Sequence, residues 1–397
     1  MKKGFKKMGM KAGAVFLISL LLMGSIFVAG ASQEGYQVED YYVDEDTAWR
    51  HAVVYLAEFV ANDAPGLEDW NGATVQKDPV TVYDIHGKKL FYEFAVTKDG
   101  KAIGEVEISA SKVLGSSLRR VIMSSPLDRE SAAQKAIEIA EKEYPDYKIS
   151  STKPVCYSYP KEGVMVTLAK PGAKEEKTII IEIYASSVVP LKEPKKEGEL
   201  GAWSIYGKLS AEERAERVEK WNSDAKFVNA HQISENPGAI TDQSLNDYSD
   251  RGSRGSFYLY VPLYAQLTSY WCAPATGQMI AKYHGYTHSQ AYVAACMGTT
   301  SSGTTMQGQL NYYRNYINKP NSNPDYSPTW GEVVSEINAG RPLKSGISGH
   351  ARCCRGWWFT GSNFYLLIND PSPPFMGLIY WENWDWVYHT NYIYVRG

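Results

Sequence analysis

The segment from Gln266 to Tyr283 restricts the possible folds of this chain more than any other. Cys272 opens an apolar pattern at helical spacing that continues to Tyr283, and the proline at 274 is tolerated in a first helical turn. A thiol at a helix start ionises readily, because unpaired backbone N–H groups and the helix dipole favour the thiolate. Gln266, just upstream, offers an amide that can donate to an oxyanion. The pattern predicts a core helix whose first residue, Cys272, is a nucleophile that substrate can reach.

Two short motifs far downstream supply the polar partners that such a thiol needs. His350 lies between Gly349 and Ala351, and these small neighbours leave room beside an imidazole acting as general base. Asp370 ends a strand-like run, and its carboxylate is expected to accept from the imidazole Nδ1–H and to fix the tautomer. Asn369 is the competitor for this role. Alternation along a strand sends the two side chains to opposite faces, so only one can orient the imidazole, and we predict Asp370.

A zinc site is the rival reading of the histidines. His284 and His288 are four residues apart and close to Cys296. Gly285 and Thr287 break the helix that would place both imidazoles on one face, so we predict no metal and no organic cofactor. Elsewhere, the Trp-rich C-terminal run and His389 are expected to pack on a sheet face, with a substrate groove as the alternative for the tryptophans.

The first 31 residues read as an export signal. A basic head of five lysines precedes the apolar run Ala12–Val28, and Ala29-Gly30-Ala31 fits a signal peptidase site. An uncleaved membrane anchor is the alternative, because 17 apolar residues are at the short limit for spanning a bilayer. We expect cleavage, and a protein that is secreted, extracellular or associated with the cell envelope, with no later membrane span.

Charge is divided unevenly along the remainder of the chain. From position 257 onward there are 8 Lys+Arg and 6 Asp+Glu, against 28 and 38 for residues 32–256. An acidic front and a faintly basic back can attract each other, as in a segment that covers a catalytic domain. No concentrated basic stripe exists, so nucleic acid is not an expected partner.

Cysteine usage agrees with one reactive thiol. The chain has five cysteines, and in an exported protein an odd count leaves at least one unpaired. Cys272 is our candidate for the free thiol. Disulfides remain open among the other four, which are Cys156, Cys296, Cys353 and Cys354.

The pattern of helices and strands predicts an α+β protein of several domains, since 397 residues exceed one ordinary core. One amphipathic helix followed by a strand meander occurs twice, which suggests a degenerate tandem of helix-plus-antiparallel-sheet modules. A charged helix with a Ser210 cap then precedes a polar, turn-rich linker that is open to cleavage. The predicted divisions are 1–31 (signal), 32–126 and 127–200 (the two modules), 201–256 (helix and linker) and 257–397 (the domain that bears the chemistry).

The segment 257–397 resembles the papain-like domain of the bacteriocin-processing double-glycine peptidases, in a stand-alone secreted form. The resemblance rests on the motifs Val-Pro-x-Tyr-x-Gln, Trp-Cys-Ala-Pro-Ala-Thr, Gly-His-Ala and Asn-Asp-Pro. It implies a nucleophile helix packed on an antiparallel sheet. It also implies Gln266 as oxyanion donor, Cys272 as nucleophile, His350 as base and Asp370 as orienter. Residues 79–126 resemble, more loosely, the propeptides of streptopain-like secreted cysteine proteases.

These observations predict an exported cysteine peptidase, made as a proenzyme, that hydrolyses peptide bonds in a protein or peptide substrate. The N-terminal modules are expected to pack on the catalytic domain. Two alternatives remain. The first is an amidohydrolase of the same fold that cuts an isopeptide or crosslink in a cell-envelope polymer. The second is a non-catalytic envelope-binding protein with a vestigial papain-like domain.

Overall fold

The fold is built on one long, mainly antiparallel sheet. The computed structural model describes residues 37–172, 176–231, 238–240, 254–361 and 363–397, and Val38–Gly397 forms one compact unit. The predicted signal segment 1–31 and most of the predicted linker 232–256 lie outside the described residues. None of the described helices is both long enough and apolar enough to span a bilayer.

The secondary structure mixes helices and strands along the whole described chain. The helices are α1 (Glu45–Ala61), α2 (Arg129–Glu143), α3 (Ala211–Ala230), α4 (Cys272–Tyr283), α5 (Gln290–Met297), α6 (Met306–Tyr316) and α7 (Trp330–Asn338). The strands are β1 (Thr74–Val75), β2 (Val80–Tyr83), β3 (Lys89–Lys98), β4 (Lys101–Ser109), β5 (Leu118–Ile122), β6 (Lys148–Ser158), β7 (Lys161–Ala169), β8 (Glu176–Glu182), β9 (Ser187–Val188), β10 (Arg254–Tyr258), β11 (Asn323–Asp325), β12 (Leu343–Ile347), β13 (His350–Thr360), β14 (Asn363–Asp370), β15 (Leu378–Asn383) and β16 (Asn391–Tyr394).

The sheet runs without a break from the C-terminal region into the N-terminal modules. Its order is β11-β16-β12-β13-β14-β15-β5-β4-β3-β2-β6-β7-β8-β9, with β1 on β3 and β10 on β13. The junction is antiparallel pairing of β15 with β5, in which Trp381 lies opposite Val121. The two N-terminal modules meet at a parallel bridge between Tyr83 and Val155. The boundaries of the domains stay a prediction.

The strands at the centre of the C-terminal region are buried on both faces. In β14, Tyr365 and Leu367 belong to the apolar core beneath α1, while Leu366 and Ile368 belong to the core beneath α4. Period-two alternation therefore distributes apolar residues between two cores rather than between a core and solvent. As a result, α1 of the first module and the helix that starts at Cys272 pack on opposite sides of the same strands.

Aromatic packing joins α1 to the C-terminal strands. The ring of Phe59 lies edge-on to Trp358, Tyr365 and Trp381, with centroid distances of 4.3, 4.9 and 6.4 Å. Edge-to-face contacts at this spacing stabilise the pair beyond the area that it buries. The first module and the C-terminal region consequently share one core.

Local sequence signals located some helices and strands and missed others. The helix predicted from Cys272 to Tyr283 is confirmed. The Ser210 cap is confirmed as a capping box with Glu213, although its helix continues to Ala230. The strand β6 was not predicted, because its first half is polar and largely exposed and shows no apolar alternation.

Replacing Phe59 by Ala should destabilise the whole described unit. The loss of a buried aromatic ring costs about 3–5 kcal/mol in unfolding free energy. Because the core is shared, we expect urea unfolding to remain a single transition that shifts as a whole, measured by tryptophan fluorescence and far-UV circular dichroism together. The control is Phe375→Ala, whose ring is 72% exposed. Two separate transitions, with only one of them shifted, would contradict a shared core.

Candidate active site

Cys272 is the first residue of α4 and its side chain is fully buried. The preceding residue, Trp271, makes no side-chain capping hydrogen bond to the helix. The first N–H groups of a helix have no partner within the helix, so they are free to favour negative charge on the sulfur. The predicted helix-terminal thiol is therefore present, but it does not lie at an open surface.

The strands β13 and β14 bring His350 and Asp370 together. His350 is the first residue of β13 and Asp370 the last residue of β14, and these strands are antiparallel neighbours. The imidazole Nε2 lies 2.7 Å from Asp370 Oδ1, and both side chains are buried. The expectation that Nδ1 would face the carboxylate was wrong. Since Nε2 is taken by Asp370, Nδ1 is the nitrogen left to face Cys272, and within the described residues it makes no hydrogen bond.

Further hydrogen bonds fix the Asp370 carboxylate. The Tyr380 hydroxyl donates to Oδ2 at 2.7 Å, and the backbone N–H of Ser372 donates to Oδ1 at 2.8 Å. The competitor Asn369 points elsewhere, because its amide donates to the carbonyl of Val261 at 2.9 Å. Strand alternation thus separates the two side chains as expected, and Asp370 is the one beside His350.

The electrostatics of the three side chains favour a thiolate and an imidazolium. Burial by itself disfavours the Cys272 thiolate, but the proximity and charge of His350, together with the charge of Lys161, outweigh burial and lower the pKa of the thiol. Burial also opposes charge on His350, but Asp370 and Cys272 outweigh it and raise the pKa of the imidazole. Burial would raise the pKa of Asp370, yet its contacts with His350 lower it.

The other cysteines do not share this setting. All five cysteines are unpaired, so none of the possible disulfides is formed. Burial raises the pKa of Cys156 and of Cys354 to about 12, the opposite direction to Cys272. Cys353 is also fully buried, because both faces of β13 are covered. A thiol poised for attack is therefore distinguished by its neighbours and not by burial.

Gln266 is buried and anchors the segment before the nucleophile. Its backbone N–H donates to the carbonyl of Pro371 at 2.9 Å, and its carbonyl accepts from the N–H of Phe375 at 3.0 Å. These bonds tie it to the loop that follows Asp370. The side-chain Nε2 donates to the carbonyl of Thr268 at 2.9 Å, which uses one of its two N–H groups. The oxyanion role of Gln266 stays a prediction.

The second module contributes a cationic side chain, Lys161, to the site. Lys161, in β7, donates from Nζ to the carbonyl of Gly349 at 2.9 Å, directly before His350. Its charge, together with that of His350, assists ionisation of Cys272. No sequence pattern predicted this contact, because Lys161 and Gly349 are 188 positions apart.

A buried hydrogen-bond network connects Asp370 with the second module. Arg352 donates to Tyr380 at 3.1 Å and to Glu382 at 2.6 Å. Glu382 also accepts from the hydroxyl of Tyr159, which follows β6. The orientation of the carboxylate therefore depends on groups contributed by two regions of the chain.

A loop of residues 192–202, which we call the covering loop, closes the thiol side of the site. Gly198 N–H donates to Gly349 O at 3.0 Å, and Thr304 N–H donates to Glu197 O at 2.8 Å. A Cβ added to Gly198 would overlap the carbonyl oxygen of Tyr270, two residues before the nucleophile. The loop thus lies between the residues that flank Cys272 and those that flank His350.

The site borders a cavity of about 540 Å³. It lies between the second module and the loop that follows β14. Asp370 and Lys161 are among the residues that line it. A nearby group of carboxylates, Glu93, Glu107 and Glu162, could hold a cation by spacing. These carboxylates already pair with Arg119, Arg120 and Arg129, so we assign no metal there.

The remaining candidates from the sequence have packing roles in the described structure. His288 Nδ1 lies 2.9 Å from the Tyr312 hydroxyl. His389 stacks on Trp384 at 3.8 Å, and burial lowers the pKa of its imidazole to about 3. Trp381 and Trp386 are buried, and Trp381 belongs to the core that includes α1.

Comparison with known proteins relates the C-terminal region to peptidases. Residues 258–394 match the family described as "Peptidase_C39 like family". Among solved structures, one similar chain is the peptidase domain of Streptococcus ComA, which is described as a bi-functional ABC transporter involved in a quorum sensing pathway. Its sequence is 20% identical to this chain. The alignment covers 31% of this chain and 98% of that chain, with a TM-score of 0.22. No curated protein matches. The resemblance of residues 79–126 to streptopain propeptides stays a prediction.

The ionisation of Cys272 should show in the pH dependence of its alkylation. A lowered thiol pKa means that the thiolate persists at pH values below the usual thiol range, and a raised His350 pKa means that the imidazolium persists above the usual histidine range. Iodoacetamide should therefore label Cys272 with a half-maximal rate below the usual thiol pKa. In His350→Ala we expect this midpoint to move to higher pH. Tryptic mass spectrometry measures the rates, Cys296 is the internal control, and an unchanged midpoint would contradict the pairing.

Proposed function

We propose that this chain is a cysteine peptidase that hydrolyses peptide bonds through Cys272, His350 and Asp370, with Gln266 as oxyanion donor. The observation that carries the proposal is the buried arrangement of thiol, imidazole and carboxylate, in which each group shifts the pKa of its neighbour towards the charged form. The match of residues 258–394 to a peptidase family supports the same chemistry. No step requires a metal or an organic cofactor.

The chemistry follows from the protonation states. The Cys272 thiolate attacks the carbonyl carbon of the substrate amide, and the negative oxygen is met by N–H groups at the start of α4 and by the Gln266 amide. The C–N bond breaks while His350 donates its proton to the leaving amine. Water then attacks the thioester, His350 accepts a proton from it, and the carboxylic acid leaves. Asp370 keeps the imidazole oriented and stabilises its positive charge.

The enzyme is proposed to be made in a latent form. The covering loop contacts residues beside both Cys272 and His350, and the thiol is fully buried. A substrate with an accessible peptide bond needs the space that this loop fills. Displacement of the loop is therefore the proposed activating step, and the modules that carry it can remain attached.

We propose that the protein is exported, and that its modules stay with the catalytic region afterwards. The β5–β15 pairing and the shared core beneath α1 support retention, because separation would expose a paired strand edge and a large apolar surface. N-terminal sequencing of the secreted protein should give a start near Ser32. A start near Ser256 would contradict retention of the modules.

Replacing Cys272 by Ala should abolish hydrolysis. The assay uses the full chain with Glu197→Ala, a change in the covering loop intended to open the site, and a diverse pool of synthetic peptides read by mass spectrometry. The Glu197→Ala chain is expected to cut peptides, and the Cys272→Ala, Glu197→Ala chain is expected to cut none, since the proposed thioester forms on the Cys272 sulfur. Cys296→Ala in the same background is the control and should retain the rate. Equal hydrolysis with and without Cys272 would exclude the proposed mechanism.

A further inference from the structure

The covering loop is held in the site by its backbone as a bound peptide would be. Glu197 pairs with Thr304 in an antiparallel bridge, and Thr304 N–H donates to Glu197 O at 2.8 Å. On the other wall, Gly198 N–H donates to Gly349 O at 3.0 Å. Main-chain hydrogen bonds of this kind do not depend on side chains, so a substrate peptide with the same backbone conformation can make them.

The Glu197 side chain occupies a charged subsite. Lys344 Nζ lies 2.5 Å from Glu197 Oε1, and Gln309 Nε2 donates to Glu197 Oε2 at 2.7 Å. Lys344 is fully buried, and its only other hydrogen-bond partner given by the described structure is Asn391. When Glu197 leaves, Lys344 loses the carboxylate that stabilises its charge in this buried position. Burying an unpaired charge is costly, so this subsite favours a ligand that brings a new carboxylate.

The next position fits glycine and excludes larger residues. Gly198 has a φ of +90°, a conformation that other residues rarely adopt. A Cβ at this position would overlap the carbonyl of Tyr270, which is backbone and cannot move aside as a flexible side chain would. The glycine lies between Tyr270, close before Cys272, and Gly349, directly before His350. A substrate glycine held in the same way would lie between the residues that precede the nucleophile and the base.

Hydrogen bonds within the covering loop keep this dipeptide in place. Ala202 N–H donates to Lys192 O at 2.8 Å and closes the base of the loop. The Glu199 carboxylate accepts from Lys195 N–H at 2.7 Å. A loop that is closed on itself can bind a cleft tightly without losing much chain entropy, which is how it can act as a built-in competitor.

We infer that the covering loop is a built-in substrate mimic and that the cleft of this enzyme selects an acidic residue followed by glycine, with hydrolysis after the glycine. Lys344 and Gln309 form the subsite for the acidic side chain, and Tyr270 restricts the following position to glycine. This inference rests on the proposed peptidase function for the cutting step, whereas the binding preference stands on the subsite contacts alone.

Access to the thiol is the first test. In the full chain, Glu197→Ala should raise the rate of Cys272 alkylation by iodoacetamide at least about tenfold, because the loop loses its charged hydrogen bonds in the cleft. Lys196→Ala is the matched control, since Lys196 lies next to Glu197 but is exposed. The control should alkylate at the rate of the unchanged chain. Equal rates for Glu197→Ala and the unchanged chain would overturn the proposed occupancy.

Peptide protection is the second test and reads occupancy of the cleft, whether or not the peptide is cut. The probes are Pro-Lys-Lys-Glu-Gly-Glu-Leu, the sequence of positions 194–200, and versions with Gln at the fourth or Ala at the fifth position. In the Glu197→Ala chain, the first peptide should protect Cys272 from alkylation at a concentration at least about tenfold lower than either altered peptide. Equal protection by the Glu and Gln peptides would overturn the acidic subsite. Equal protection by the Gly and Ala peptides would overturn the glycine restriction.

Lys344→Met supplies the matching change on the protein side. In the Glu197→Ala, Lys344→Met chain, the Glu and Gln peptides should protect equally, because the cation that separates them is gone. Near-UV circular dichroism checks that the Glu197→Ala, Lys344→Met chain is folded. If that chain is unfolded, the peptide series in the Glu197→Ala chain decides whether the subsite prefers an acidic side chain. The masses of the peptide products test the cutting step separately. Selective protection without hydrolysis would contradict the proposed peptidase function and leave the binding preference standing. Hydrolysis with no preference for Glu-Gly would contradict this inference and leave the peptidase function standing.

Discussion

Burial of the strands β13, β14 and β15 on both faces is the constraint on which the rest of the structure depends. Because α1 fills one face and α4 the other, the residues of β14 alternate between two close-packed cores. A strand in this position has little freedom to shift, since close-packed interiors transmit displacement. His350 and Asp370 lie at the ends of these strands, so a rigid sheet holds the two side chains at a fixed distance from each other.

Charged side chains in such an interior need a partner, and the charged side chains of the site have one. Asp370 is met by His350, Tyr380 and a backbone N–H, and Lys344 is met by Glu197. An isolated buried charge would instead return to its neutral form. The pairing of thiolate with imidazolium is compatible with burial for the same reason. Removing one partner of such a pair therefore shifts the pKa of the other. Because the covering loop contributes Glu197, it takes part in the electrostatics of the site.

The second N-terminal module both supports and blocks the site in the proposed enzyme. Lys161 assists ionisation of the thiol, and Tyr159 extends the network behind Asp370, while Glu197 lies in the cleft. A removable cover would not be expected to supply supporting groups. The arrangement fits a permanent module whose loop can move while its strands remain paired.

The sequence by itself determined the local features, namely the helix that begins at Cys272, the Ser210 cap and the separation of Asp370 from Asn369, because periodicity and strand alternation act over a few residues. It also pointed to the three side chains that the fold brings together. Only the tertiary structure decided that Nε2 faces Asp370, that the thiol is covered, and that Glu197 meets Lys344 across 147 positions. Such contacts depend on which strands pair and which loops cross the cleft, and no local pattern in the chain encodes that choice.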